Sequence, residues 1–175
     1  MIIGDRIYLR AVEVEDLDLC WRWVNDPEVT RYMLLGGWPI SRLAEREWLE
    51  RAARGTGDRD RQMAVCLRGS DRHIGNCGLH QISWRSGTAD LGIVIGEKDC
   101  WDQGCGRDAV RTVLRHAFRE MSLRKVTLSV LALNHRAIRC YEQCGFAVEG
   151  ILRGQHLVDG LHVDEVRMAV FAPGR

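Results

Sequence analysis

Trp101-Asp102-Gln103-Gly104-Cys105-Gly106-Arg107-Asp108-Ala109 is the stretch on which the fold turns. It follows the apolar run Leu91-Gly92-Ile93-Val94-Ile95 and opens a long amphipathic segment beginning near Asp108. A strand, a glycine turn and a helix start together make an anion site. Glycine lets the backbone approach without a Cβ, the first helical N–H groups lack internal partners, and the helix dipole favours negative charge there. The stretch therefore predicts a bound molecule that carries phosphate.

Gly104-x-Gly106-x-x-Ala109 also fits the dinucleotide-binding fingerprint. That fingerprint follows its strand immediately and requires an acidic residue about 20 residues on. Here residues 96–102 intervene, and the corresponding downstream position reads Arg124-Lys125. Most of the β-like sequence precedes the loop, whereas a dinucleotide domain would begin with this unit. The dinucleotide reading is the weaker of the two.

Downstream of the loop, Val110, Val113, Leu114, Ala117, Phe118 and Met121 form an i, i+3, i+4 stripe that predicts a helix. Residues 125–131 read as an apolar strand. Asn134 caps a short helix over 134–144, which Gly145 ends. Strands over 146–158 and 161–171 meet at the two-residue turn Asp159-Gly160.

Upstream, residues 6–10 alternate as a half-buried strand does. A helix follows over 15–25, with Leu17, Cys20, Trp21 and Val24 on one face, stopped by Asp26-Pro27. After the break Gly36-Gly37-Trp38-Pro39, Ser41 caps a helix carrying Leu43, Trp48 and Leu49, with Glu45 and Glu47 complementing its dipole. Beyond a polar loop at 54–60, strands at 62–67, 73–84 and 89–95 make an antiparallel meander. The order β-α-α-β-β-β-α-β-α-β-β predicts an α/β (α+β) domain over 1–175 in which a mixed, mostly antiparallel sheet of about seven strands carries helices on both faces.

With 25 basic against 24 acidic residues, the charge balance gives no support for nucleic-acid binding. No apolar stretch approaches the ~18 residues of a membrane span, and no leader pattern opens the chain, so a cytoplasmic protein that avoids membranes is expected. The seven cysteines are scattered and form no Cys-x-x-Cys pair, which predicts reduced thiols and no metal. Cys105, inside the turn, is the one expected to be exposed.

The segment Asn134-x-x-Ala137-x-x-x-Tyr141-Glu142-x-x-Gly145-Phe146, at its distance from the loop, resembles the second signature of the GNAT acyl-CoA N-acyltransferases. The loop with its leading Trp101 is similar to that of the ribosomal-protein N-terminal acetyltransferase (RimJ/RimL-like) branch, and polyamine and aminoglycoside acetyltransferases share much of the layout. The resemblance implies a splayed V between the strands near 89–95 and 125–131. It also implies an acetyltransferase that moves an acetyl group from acetyl-CoA to an amine in a ternary complex. A peptide N-terminus is the acceptor implied by the branch, a small amine is the alternative, and a homodimer is compatible with it. A non-catalytic coenzyme A-binding module is the reading of another class.

The resemblance also assigns residues. Backbone N–H groups of Gln103, Gly104, Cys105, Gly106, Arg107 and Asp108 would bind the pyrophosphate, with Arg107 adding charge. A bulge in the strand at 91–95 would free an N–H near Ile93 or Val94. Asn134 would contact the cofactor as well as cap its helix. Tyr141 would be the general acid, although its helical face, shared with Ala137 and Ile138, also suits simple packing. Asp90 would draw the amine's proton through water; a solvated strand aspartate is the alternative. His80, on the neighbouring strand, and Glu149 are further candidates.

Overall fold

In the computed structural model, residues 1–33, 37–55 and 57–174 are described. Gly36 of the expected break and Thr56 of the expected polar loop lie outside the described residues. Period-two alternation builds the sheet. Its strands are β1 (Ile2–Ile3), β2 (Ile7–Ala11), β3 (Arg61–Leu67), β4 (His73–Ser83), β5 (Thr88–Ile95), β6 (Lys125–Leu131), β7 (Ala147–Val158) and β8 (Leu161–Phe171). They lie in the order β1-β2-β3-β4-β5-β6-β8-β7, and every neighbouring pair is antiparallel except β5 and β6. The strand beyond the expected seven is β1, two residues too short to carry a periodic signal. The β7–β8 turn has Asp159 at φ 49° and Gly160 at φ 78°, the doubly left-handed geometry that Asp-Gly favours.

The helices are α1 (Leu17–Val24), α2 (Pro27–Thr30), α3 (Arg42–Arg54), α4 (Cys105–Arg119) and α5 (His135–Gln143). Proline at 27 ends α1 as expected but also starts α2. Its fixed φ suits the first helical position, and the Asp26 side chain accepts from the Glu28 N–H. On one sheet face, Val110, Val113, Leu114 and Ala117 of α4 pack on Ile7, Ile74, Leu79, Leu91, Val126 and Leu128. On the other, Leu17, Cys20 and Trp23 of α1 and Leu49 of α3 pack on Ala64 and Cys66. Two inward faces differ from the pattern in the sequence. Trp23 rather than Trp21 is buried in α1, and in α3 Leu43 is 67% exposed while Glu45 faces inward.

The parallel pair holds the feature that matters for function. β5 and β6 pair only where Thr88–Asp90 meets Lys125–Thr127. Beyond that point β5 follows β4 to Ile95 while β6 follows β8 to Leu131, so different antiparallel partners pull the two apart into a V. The bulge expected within β5 is found on β4 instead. The register shifts between His80 and Ser83, with Gln81 at φ 49°.

Candidate active site

Gly104, at φ 82°, caps α4 in a left-handed conformation that favours glycine, and the helix starts at Cys105, three residues ahead of the expected Asp108. The first helical hydrogen bond runs from the Asp108 N–H to the Gly104 carbonyl at 3.0 Å. Among the described residues, the N–H groups of Cys105, Gly106 and Arg107 have no carbonyl partner. Gly104, Gly106 and Arg107 line a cavity of about 1240 Å³ that runs from the start of α4, through the V, to α1 and α3.

Three loop residues do other work. The Asp108 carboxylate accepts from the N–H groups of Asp5 (3.2 Å), Arg6 (2.7 Å) and Ile7 (3.0 Å), and its own N–H is spent in the helix. It pins α4 to the start of β2, so both its carboxylate and its N–H are already engaged. Gln103 and Cys105 line a separate depression beside Asp5, Arg6 and Arg72. Cys105 is buried and burial pushes its thiol up, so the exposed cysteine expected in the turn is absent.

Ile93 and Val94 both line the cavity, and strand phase separates them. The Gly96 N–H donates to the Ile74 carbonyl on β4, so alternation turns Val94 toward β4 as well. Ile93 and Ile95 are of opposite phase and face the V, where the Ile95 carbonyl accepts from Trp101 Nε1 at 2.7 Å. The Trp101 ring carries the Arg136 guanidinium 4.3 Å from its centroid. Asn134 caps α5, its side chain accepting from the Ala137 N–H at 3.2 Å, and it also lines the cavity.

Tyr141 lines the cavity too, with its ring 5.8 Å from that of Phe146. Among the described residues nothing hydrogen-bonds its hydroxyl. Burial pushes the phenol well above its ordinary pKa, with Cys140 and Cys144 adding to the rise, so it carries its proton at neutral pH.

The proton acceptors sort differently from the sequence expectation. Asp90 is not on the cavity wall; it accepts from the Thr127 hydroxyl and pairs with Arg167 at 3.5 Å. Glu149 is not on the cavity wall either; it is held at 2.7 Å by Lys125, which pairs with Thr88 where β5 and β6 are still joined. His80 does line the cavity. Its Nδ1 lies 3.2 Å from Asp60 Oδ1 and its Nε2 3.1 Å from Gln62 Nε2. An aspartate on Nδ1 fixes the tautomer whose Nε2 accepts. Opposite, at Gly92, an added Cβ would come within 3.1 Å of that Nε2, so glycine leaves room for the ring.

Sequence reasoning missed four wall residues, Ser129, His156, Glu165 and Glu45. Glu165 accepts from Ser129 Oγ at 2.5 Å and lies 2.6 Å from His156 Nε2, a pairing made across β6, β8 and β7. Glu45 reads as a first-turn helix acid, yet stands four residues before Leu49 on the buried face, a spacing that was the available signal. Among the described residues no cluster of His, Cys, Asp and Glu is built to hold a metal, and no helix is long and apolar enough to cross a membrane.

The cleft suits coenzyme A on its own terms. The free N–H groups of Gly106 and Arg107 at a helix start, beside Gly104, suit a pyrophosphate, and an open strand edge suits an amide-bearing arm. Residues 6–147 match the acetyltransferase (GNAT) domain family. An uncharacterised N-acetyltransferase, p20 of Bacillus licheniformis, is 27% identical over 165 residues, 91% of this chain and 89% of that protein. A spermidine N(1)-acetyltransferase of Vibrio cholerae is 30% identical over 97 residues, 55% of this chain and 56% of that one. The crystal structure of a Vibrio cholerae spermidine N-acetyltransferase with CoA and spermine superposes with a TM-score of 0.86, covering 95% of this chain and 96% of that one at 24% identity. The chain belongs to the GNAT family of acetyl-CoA-dependent N-acetyltransferases.

Proposed function

We propose that this enzyme moves the acetyl group of acetyl-CoA directly to a primary amine held in the same cavity, with Tyr141 as general acid and His80 as general base. The observation that carries the reading is the meeting, on one cavity, of the free N–H groups at the start of α4 and a half-buried, protonated Tyr141 hydroxyl that has no partner among the described residues. Acetyl-CoA supplies an acyl carbon already activated as a thioester. What the chain must add is position, a neutral amine and a proton for the leaving sulfur. The N–H groups of Gly106 and Arg107 hold the pyrophosphate, and the Ile93 N–H faces the acyl end of the V. His80 Nε2 takes the surplus proton of the ammonium, the neutral nitrogen bonds the acyl carbon, and as the carbon–sulfur bond breaks Tyr141 Oη protonates the sulfur; the acylated nitrogen sheds its second proton to solvent, from which the phenolate is reprotonated.

The Trp101 loop, similar to that of the ribosomal-protein N-terminal acetyltransferases, supports a peptide N-terminus as the acceptor. The relation to a spermidine acetyltransferase supports a small amine. Free cysteines throughout favour a cytoplasmic, reducing setting. A homodimer across the edge strand β7 fits its exposed Val148, Ile151, Leu152 and Leu157.

Thiol release from acetyl-CoA, followed over polyamines, aminoglycosides and peptides of varied N-terminus, tests the reading. Turnover of any amine is the expected result, whereas coenzyme A binding without turnover of any acceptor would leave a non-catalytic module. Gly106 has ordinary helical φ, so Gly106→Val is compatible with the fold yet places a branched side chain at the N–H groups. Its acetyl-CoA dissociation constant is expected to rise by about tenfold or more, ~1.4 kcal/mol, in a calorimetric titration; unchanged affinity would remove the loop from the binding site. For His80→Gln, kcat/KM is expected to fall about a hundredfold with acetyl-CoA affinity intact. Retained turnover would shift the base role elsewhere.

A further inference from the structure

Glu45 is a carboxylate where a core helix ordinarily carries an aliphatic side chain. It shares the inward face of α3 with Trp48, Leu49 and Ala52, and only 5% of the residue is exposed. A buried carboxylate is costly unless it is paired or hydrogen-bonded. Asp16, the other acid buried to this degree, has three partners: Arg10, His73 and the Glu13 N–H. Among the described residues Glu45 has none for its side chain. Its neighbour is the Cys20 thiol, which accepts from Asn76 Nδ2 at 3.3 Å, and burial pushes the Glu45 carboxyl up.

That carboxylate lines the cavity. Arg107, Arg136 and Arg139 stand at the end where α4 and α5 begin, where Asp102 lies 3.9 Å from Arg136. At the end formed by α1 to α3, Glu28 is held by Lys98 at 2.9 Å, which leaves Glu45 as the acid without a cation there among the described residues. Arg31 also lies at the second end, but its guanidinium is over the Tyr32 ring, 5.5 Å from the centroid. An unpartnered acid facing a cavity is completed by a cation brought in with the ligand, since pairing restores what desolvation took away.

We propose that Glu45 anchors a second cationic group on the acceptor, an ammonium or guanidinium, so that the amine acetylated here belongs to a molecule with at least two positive charges. The assignment rests on the acetyl-transfer reading of the same cavity. Two sources present this chemistry, a small diamine and a peptide with a basic side chain beside its N-terminus.

Calorimetric titration with the diamines from diaminopropane to diaminohexane, each against the monoamine of equal length, reads the second charge directly. At least one diamine is expected to bind about 10- to 100-fold more tightly than its monoamine, and Glu45→Gln is expected to bring that ratio close to one. A parallel arm compares the dipeptide amides Ala-Lys and Ala-norleucine; preference there alone assigns the cation to a basic peptide. If the Gln variant does not unfold cooperatively, Glu45→Leu replaces it, because an apolar residue suits this face. Equal binding of singly and doubly charged ligands in both arms, or a preference that survives both variants, overturns the proposal. Thiol release separates the two readings. Acetylation of mono- and diamines alike removes only the Glu45 assignment, whereas charge-selective binding with no thiol release removes only acetyl transfer.

Discussion

Tyr141→Phe is expected to lower kcat by about a hundredfold while leaving acetyl-CoA affinity and thermal stability unchanged. The size follows from the loss of one positioned proton donor. The sulfur must leave as a thiolate or be protonated as it leaves, and in the proposed mechanism the phenol, which desolvation keeps protonated, is the donor of that proton. The selectivity follows from the structure around the ring. Its packing against Phe146 needs only the aromatic body, which Phe retains. Its hydroxyl has no partner among the described residues, so removal leaves no orphaned group behind. Single-turnover thiol release and a melting curve on the same preparation check both halves. A variant that loses stability but keeps kcat would make Tyr141 a packing residue, the alternative its helical face allows.

Legibility in the sequence followed the range of the signal. The α4 stripe, the Asn134 cap and the Asp159-Gly160 turn are local, and all three appear where periodicity and turn chemistry place them. The anion loop was legible as well, though its helix begins earlier because Gly104, rather than Asp108, is the cap. Asp108 shows why the side chains were harder. An acid in a first helical turn reads as dipole complement or ligand contact, and only tertiary structure reveals three N–H donors from residues 5–7 upon it. Asp90 and His80 are cross-strand neighbours, and it is tertiary contact that separates them: Thr127 and Arg167, distant in sequence, occupy the aspartate, while His80 lines the cavity. The bulge moved from β5 to β4 for a related reason, since a register shift belongs to a pair of strands. Glu45 was hidden by a rule that holds for exposed helices and fails on a buried face.

Asp16→Asn is expected to destabilise the fold by about 3 kcal/mol near neutral pH, lowering the melting temperature by roughly 10 °C. Asp16 takes two hydrogen bonds from Arg10, at 2.8 and 2.7 Å, one from the Glu13 N–H at 2.9 Å, and faces His73 Nδ1 at 3.1 Å. Burial alone would push the carboxyl up, but the bonds from Arg10, His73 and Glu13 outweigh it and hold it well below the usual carboxylate range. Folding therefore favours the ionised form. The stabilisation is full above the unfolded value of about 3.9 and fades as pH falls through the lower folded value. The gap between wild type and variant should accordingly be widest near neutrality and close in acid, which denaturant titrations over pH would read. A gap independent of pH would assign the loss to packing rather than charge. The same network continues from His73 Nε2 to Asn76 Oδ1 at 2.9 Å and from Asn76 to Cys20, the neighbour of Glu45. Loosening Asp16 is thus expected to reach the acceptor end of the cavity, raising KM for the amine while Tyr141-dependent kcat holds; a fall in kcat with KM unchanged would disconnect the network from that wall.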